Sequence, residues 1–270
     1  MQTVSIGPLG FSFAHLLLVF SFVVALLVGA LYGRKHGVST GGTLVDTLLV
    51  ALVTARIGFV AQYFEHFKDA PLDIIDIRDG GFSVYAGVFG AVAFGAWRML
   101  RRTAIRKPLG IAILSGLMTW GALSLTVNLI EGQAREIPDS GLSTLDDESI
   151  TLVDLQPGKP KVVNIWASWC PPCIREMPVL ERAQERYPDI TFVFVNQGEQ
   201  VETITSFLKQ QELSIRNVLS DVSGSLANAT GSHALPTTLF YDAEGRQVDA
   251  HMGELSNASL AQKLEAFERK

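Results

Sequence analysis

Two cysteines stand in one Cys-Pro-Pro-Cys motif, at Cys170 and Cys173, and the 270-residue sequence contains no others. Two intervening residues suit either a redox pair or half of a tetrahedral zinc site. A count of two excludes a framework of structural disulfides. Zinc would need two more ligands. In the C-terminal half of the chain the candidates are His233 and His251, which a predicted hairpin separates. We therefore favour the redox pair and predict no metal.

The residues around the motif indicate a strand, a turn and a helix. Residues 161–166 (KVVNIW) read as a buried strand, and a helical pattern begins after Cys170. Because the helix dipole and unpaired N–H groups stabilise a thiolate at a helix N-terminus, Cys170 is predicted to attack and Cys173 to resolve the mixed disulfide. Pro171 and Pro172 fit the first turn, where an N–H group would have no helical acceptor.

The rest of the C-terminal half alternates strand and helix patterns, which predicts an α/β domain over residues 150–270. The predicted strands are 190–196, 215–219, 237–242 and 246–252, and the predicted helices are 200–211 and 257–268. Trp166 and Trp169 flank the motif. We expect Trp166 to pack in the core, and Trp169 to shield the disulfide and shape a contact surface.

The first 130 residues are predicted to be a membrane domain. Hydrophobic residues make up 48% of the chain, and nearly all the long apolar runs precede residue 131. About 20 apolar residues are needed to cross the bilayer as a helix. Four stretches qualify, at 11–32, 43–64, 81–99 and 108–130. The fold class is thus an α-helical transmembrane bundle of four spans, a polar linker at 131–149, and the α/β domain.

Basic residues orient this bundle, because loops rich in Lys and Arg stay cytoplasmic. Arg34 and Lys35 follow the first span, and five basic residues separate the third from the fourth: Arg98, Arg101, Arg102, Arg106 and Lys107. The N-terminus and everything after residue 130 should then lie outside the cytoplasm. In a Gram-negative cell this places the redox domain in the periplasm, on the inner membrane. A net charge of -5 gives no basic field for nucleic acid.

The motif and its surroundings resemble a known family. VNIWASWCPPCIREMP (163–178) is most similar to the TlpA/ResA/CcmG-type reductases of the bacterial cell envelope, and residues 145–270 resemble the thioredoxin superfamily. The resemblance implies a thioredoxin-like fold, thiol:disulfide oxidoreductase activity, and a cis-proline at Pro236 beside the disulfide. The predicted substrate groove consists of Trp169, Pro171, Pro172, Leu235, Pro236 and Thr237.

Asn164 departs from thioredoxin, which has a buried aspartate at this place six residues before the nucleophile. An amide cannot exchange a proton, so another group has to manage the proton of Cys173. Glu176 lies three residues after Cys173 on the same helix face. It also matches a glutamate that ResA-type proteins use near their thiols. The alternative is an ordinary solvated glutamate beside Arg175.

The membrane half resembles the first spans of prolipoprotein diacylglyceryl transferase, through SIGPLGFSF, ARIGFVAQYF and GGFSVYAGVFGAV. That enzyme moves a diacylglycerol group from phospholipid to a lipoprotein cysteine. Tyr85 stands where the transferase has a histidine, and the later arginine and glutamate signature is missing or unrecognisable. We therefore predict a repurposed anchor.

Arg56 matches an arginine of the transferase, and a charge deep in a span usually marks a pocket or a partner. With Tyr85 it defines a predicted membrane pocket for a lipid headgroup or a partner. An internal polar clamp between helices is the alternative. Asp46 and Glu131 are possible counter-charges. The glycines of the third predicted span are expected to permit close helix packing.

The predicted function is reduction of disulfides in envelope proteins, with no cofactor beyond the redox-active disulfide. The alternatives are a disulfide oxidase or isomerase, a lipid-modifying transferase with an accessory redox domain, and a non-catalytic scaffold. Because the four predicted spans contain no cysteine, the chain cannot carry reducing equivalents across the membrane by thiol exchange. The expected partners are therefore envelope protein clients, a DsbD/CcdA-type electron donor and membrane lipid.

The orientation of the basic loops gives the first testable prediction. A reporter that is active only in the periplasm should be active when fused after Lys270 and inactive when fused after Arg102. Reporter activity in cells, normalised to the amount of each fusion, is the measurement. The reverse pattern would place the redox domain in the cytoplasm.

Overall fold

The computed structural model describes residues 3–6, 9–68, 71–131, 136–232 and 234–268. The chain divides into two compact units. The helical unit comprises Phe13–Ile77 and Gly81–Gly132, and the redox unit comprises Met1–Ser12, Arg78–Gly80 and Gln133–Lys270. The domain boundaries at residues 130 and 149 stay predictions.

The helical unit contains four long helices: α1 (Phe13–Lys35), α2 (Gly41–Gln62), α3 (Val84–Arg101) and α4 (Arg106–Glu131). Among the described residues, three segments are long and apolar enough to cross a membrane, namely Leu16–Lys35, Gly41–Gln62 and Thr103–Val127. Helix α3, which carries Arg98 and Arg101 in its last turn, is not among them. The fourth span therefore stays a prediction.

Glycines let α2 and α3 approach closely. A Cβ atom added at Gly87 would lie 3.1 Å from Cβ of Ala55, and one added at Gly90 would overlap the side chain of Thr54. Residues further along α3 contact residues nearer the start of α2, so the two helices run antiparallel. Gly95 differs, since no heavy atom among the described residues lies within 4 Å of its added Cβ. Close packing is thus confirmed at Gly87 and Gly90.

The redox unit is built on a seven-stranded mixed sheet, and a separate strand pair, β1 (Thr3–Ile6) and β2 (Leu9–Ser12), precedes it. The sheet strands are β3 (Leu142–Thr144), β4 (Ser149–Ile150), β5 (Lys161–Trp166), β6 (Thr191–Gln197), β7 (Val218–Asp221), β8 (Thr237–Tyr241) and β9 (Gln247–Met252). Their order is β4-β3-β7-β6-β5-β8-β9. Strands β5, β6 and β7 are parallel, while β3, β8 and β9 run antiparallel to their neighbours.

Alternating side chains of the central strands build a hydrophobic core on each face of this sheet. Val162 and Trp166 of β5 belong to one core, and Val163 and Ile165 belong to the other. The helices are α5 (Pro171–Arg186), α6 (Val201–Gln210), α7 (Ser225–Thr230) and α8 (Asn257–Glu268). The core of Trp166 also contains both cysteines and packs against α5, α6 and α8. Trp166 is fully buried, as predicted.

The sheet extends further than predicted. Strand β3 lies within the predicted linker 131–149 and pairs with β7 through Ser143 and Ser220. Such a short, polar strand leaves a weak pattern, with Leu142 as its buried residue. The strand expected at 215–219 begins later, since Asn217 adopts a φ of 57°.

Helix α7 was also missed. The Asp221 carboxylate caps it by accepting from two of its backbone N–H groups.

Two glycines of α3 form a matched pair for testing the helix packing. Gly90→Ala should lower the stability of the helical unit by roughly 1–3 kcal/mol, because the new methyl group collides with Thr54. Gly95→Ala should be neutral or slightly stabilising, since alanine favours a helix and meets nothing there. The thermal unfolding midpoint of the full chain in detergent measures both. Equal midpoints would contradict the packing of α2 against α3.

Candidate active site

Cys170 and Cys173 form a disulfide at the start of α5. Cys170 is the N-cap residue, and its sulfur accepts the backbone N–H of Cys173 at 3.3 Å. Pro171 and Pro172 begin the helix, so they occupy positions where no helical N–H bond is lost. When the pair is reduced, the helix N-terminus favours a thiolate on Cys170.

The turn that carries the disulfide lies at the edge of the sheet where β5 ends and β8 begins. Ile165, next to the end of β5, pairs with Thr237 at the start of β8. The Leu235–Pro236 peptide bond immediately before β8 is cis, the isomer that the resemblance implies. Leu235 packs against the core cluster that contains both cysteines. Strand pairing therefore brings the cis-proline to the edge that carries the disulfide.

The predicted groove residues differ in exposure. Trp169 is 67% exposed and Pro171 is also exposed, whereas Pro172 and Leu235 are half-buried. Thr237 is buried, and its hydroxyl donates to the carbonyl oxygen of Ala234 at 2.6 Å. Its side chain thus braces the turn before β8 instead of lining a surface.

Glu176 is fully buried one turn after Cys173. Its Oε1 accepts from the Asn164 side-chain amide at 2.7 Å, and its Oε2 accepts from the Leu255 backbone N–H at 3.0 Å. Burial raises the pKa of Glu176 to about 8, with a small contribution from the charge of Glu254, and outweighs the opposing effect of the two hydrogen bonds. The alternative of a solvated glutamate is wrong.

Asn164 connects Glu176 to the sheet. Its amide nitrogen also donates to the Thr238 hydroxyl of β8 at 3.0 Å. Within the described residues, its amide oxygen is buried without a hydrogen-bond partner. The Asn164 amide, at the place of the thioredoxin aspartate, therefore orients an acidic residue of helix α5, Glu176.

Glu199 is a site residue that sequence reasoning missed. Its carboxylate accepts from the backbone N–H of Ser168 at 2.7 Å, from the Ser168 hydroxyl at 2.5 Å and from the Asn196 amide at 2.7 Å. These bonds fix the turn two residues before Cys170. Glu199 follows β6, and parallel neighbours β5 and β6 end at the same edge. A polar residue just after the neighbouring strand was the available signal.

The connection between β9 and α8, Gly253–Ser256, was missed as well. The Gly253 N–H donates to the carbonyl oxygen of Pro236 at 2.9 Å. The Glu254 carboxylate forms an ion pair with Arg175 of α5 at 2.6 Å. With the bond from Leu255 to Glu176, this turn contacts both the cis-proline and the active-site helix.

The described residues contain no group of three or more His, Cys, Asp and Glu side chains that could hold a metal. His251 lies on β9, and His233, the other candidate zinc ligand, lies outside the described residues. The redox group is the Cys170–Cys173 disulfide itself.

The two predicted pocket residues of the helical unit differ in exposure. Arg56 is buried, and its guanidinium donates to backbone carbonyl oxygens of the loop between α2 and α3: those of Asp73, Ile74, Asp76 and Gly81. Tyr85 is 91% exposed. Of the possible counter-charges, Asp46 lies 3.8 Å from Arg98, and the Glu131 side chain is outside the described residues. These bonds tie Arg56 to the loop, and both roles considered for it, a headgroup pocket and a polar clamp between helices, stay predictions.

Residues 132–264 match the Redoxin family model, and residues 2–124 match the model for prolipoprotein diacylglyceryl transferase. The thioredoxin-like protein YneN of Bacillus subtilis is 32% identical over 143 residues, which are 52% of this chain and 81% of that protein. The chain belongs to the thioredoxin-like thiol–disulfide oxidoreductases.

ResA of Halalkalibacterium halodurans, a thiol-disulfide oxidoreductase, is 32% identical over 126 residues, which are 46% of this chain and 70% of that protein. The solved structure of MTB dsbF matches 48% of this chain and 96% of its own, with 29% identity and a TM-score of 0.43. YneN and ResA match the redox half of the chain, and the transferase model matches the helical half.

The buried carboxyl group makes stability depend on pH. Since burial raises the pKa of Glu176 from 4.5 to about 8, the folded state holds a proton that the unfolded state loses. The contribution of this carboxyl group to the free energy of unfolding is complete below about pH 4.5 and is lost as the pH rises towards 8. The loss is at most about 1.4 kcal/mol per pH unit.

Glu176→Gln should remove this loss. The unfolding midpoint of the oxidised variant should rise relative to the parent protein between about pH 5 and about pH 8. Glu185→Gln, at an exposed position on the same helix, is the control and should leave the pH dependence unchanged. Parallel profiles for parent and Glu176→Gln would show that the carboxyl group is ionised when folded.

Proposed function

We propose that this oxidoreductase reduces disulfides of cell-envelope proteins while anchored in the inner membrane, with its redox unit in the periplasm. The observation that carries this proposal is the redox pair at the start of α5 with a buried carboxyl group, Glu176, one turn behind it. Cys170 has the position of a nucleophile. Glu176 has the position and the raised pKa of a proton store for Cys173.

Reduction proceeds by two exchanges. The Cys170 thiolate attacks a client disulfide, forms a mixed disulfide and releases one client sulfur as a thiolate. Cys173 then gives up its proton and attacks Cys170, which releases the second client sulfur. Two electrons pass to the client, and Cys170 and Cys173 end joined as in this structure.

Glu176 supplies a carboxylate that can accept the proton of the Cys173 thiol. The pKa of its carboxyl group, about 8, is close to the pKa of about 8.5 of an ordinary thiol. The ionised form of Glu176, which is the minority form at neutral pH, can therefore accept the Cys173 proton with little change in free energy and become the protonated acid. Asn164 cannot perform this task, but it holds Oε1 of Glu176 in place.

The client surface consists of the exposed and half-buried groove residues: Trp169, Pro171, Pro172 and Leu235. An exposed tryptophan beside a reactive cysteine offers apolar area to a client chain. Pro236 lies at the same edge of the sheet, so its backbone also borders the site.

The location is supported by the apolar helices and by the basic loops. Three segments of the helical unit have mean hydropathies of 2.5, 1.9 and 1.6, which suit a membrane. The basic residues in the last turns of α1 and α3 favour a cytoplasmic position for the loops that follow these helices. The chain after α4 then emerges in the periplasm.

Membrane lipid is the proposed partner of the helical unit. An apolar cavity of about 360 Å³ lies between its helices, lined mainly by α1, α2 and α4. Such a lining suits an acyl chain and offers little to a charged headgroup. Arg56 is engaged with backbone carbonyls, so the proposed contact is apolar.

Recovery of the dithiol requires an external donor. Both cysteines lie in the redox unit, so the proposed source is a thiolate of a DsbD/CcdA-type protein in the same compartment. In wild-type cells we expect the Cys170–Cys173 pair to be mainly reduced. Deleting the donor should shift it to the disulfide, as measured by alkylation of acid-quenched cells and gel mobility.

Two variants control this experiment. Cys173→Ala should accumulate mixed disulfides with clients, because nothing resolves them, and Cys170→Ala should accumulate none. A pair that is oxidised in wild-type cells would support a disulfide oxidase instead. A pair that stays reduced without the donor would contradict the donor assignment.

A further inference from the structure

The turn Gly253–Ser256 is the backbone segment that covers the Glu176 carboxyl group from the side of α8. Leu255 donates its N–H to Oε2 at 3.0 Å. The far end of the turn is fixed by α8, where Ser256 and Ser259 exchange backbone-to-hydroxyl bonds of 2.9 and 3.1 Å. Its near end is fixed by Gly253, which donates to Pro236.

Between these ends, the described contacts fix the turn to α5 through one ion pair and one hydrogen bond. Arg175 donates to Oε2 of Glu254 from Nε at 2.9 Å and from Nη2 at 2.6 Å. Glu254 and Leu255 are adjacent in the turn, and Arg175 and Glu176 are adjacent in the helix. The ion pair therefore lies directly beside the bond that holds the buried carboxyl group.

We propose that Arg175 and Glu254 are positioning residues, whose ion pair closes the turn over Glu176 and keeps water from its carboxyl group. This inference rests on the proposed role of Glu176 as the proton store for Cys173. The Arg175 side chain is 45% exposed and that of Glu254 is 20% exposed, so the pair forms the outer wall of a site whose inner group is fully buried.

The groups around Glu176 are identifiable. Glu254 approaches from the turn and raises its pKa, and Cys173 lies one turn back on α5. Asn164 and Thr238 provide neutral contacts from the sheet. His251 of β9 lies 3.3 Å from the carbonyl oxygen of Glu254, and burial lowers the pKa of His251 to about 4, so it is neutral near pH 7.

Positioning and simple charge effects predict different results for the two single variants. If the pair acts by closing the turn, either Arg175→Gln or Glu254→Gln admits water and lowers the pKa of Glu176, because burial is the main cause of its rise. If the pair acts only through its charges, Glu254→Gln lowers that pKa, whereas Arg175→Gln raises it by leaving Glu254 unneutralised.

The test follows the Leu255 amide of the full chain in detergent micelles, labelled with ¹⁵N-leucine, because this amide bonds to the titrating carboxylate. Its chemical shift is recorded against pH in the oxidised protein. We expect both single variants to lower the midpoint by roughly half a pH unit, and the charge-swapped Arg175→Glu/Glu254→Arg variant to restore it. Arg246→Gln, which breaks the exposed ion pair with Asp242, should leave the midpoint unchanged.

Shifts in opposite directions, or no shift in either single variant, would overturn the positioning role. Glu176→Gln separates this result from the proposed function. It should abolish the titration of the amide. If the titration persists in Glu176→Gln, the proton belongs to another group and the role of Glu176 fails with it. If Glu176→Gln abolishes the titration while the pair variants leave it unmoved, only the positioning inference fails.

Discussion

Glu176 places a carboxyl group in a fully buried position one helical turn behind the redox cysteines. Removing a carboxylate from water is costly, so the group stays protonated at neutral pH unless hydrogen bonds compensate its charge. Here an amide from β5 and a backbone N–H from the β9–α8 turn each bind one oxygen. Their balance with burial leaves the pKa at about 8, where the group can hold or release a proton.

Three parts of the chain must meet for this balance to hold. Strand β5 supplies Asn164, helix α5 supplies Glu176, and the turn after β9 supplies Leu255. The same β5 pairs with β8, which begins directly after the cis Leu235–Pro236 bond. The sheet therefore sets the position of the proton site and of the client edge together, and a shift of β8 against β5 would disturb both.

Sequence reasoning reached what is local and missed what is distant. The motif, its strand and its helix lie within about 25 consecutive residues, so periodicity and the preferences of a helix start were sufficient to predict them. The contacts of Ser168 with Glu199 and of Arg175 with Glu254 span 31 and 79 residues. No local pattern encodes such pairs. Strand β3 was missed for a related reason, because its pairing with β7 and not its composition makes it a strand.

The helical unit shows the same distinction between packing and chemistry. A buried arginine in a span suggested a headgroup site, but the four hydrogen bonds of Arg56 described above go to backbone carbonyls of the following loop. These bonds connect α2 to the loop that follows it. An arginine with these contacts can hold a loop in place without any lipid chemistry, so its burial does not by itself indicate lipid transfer.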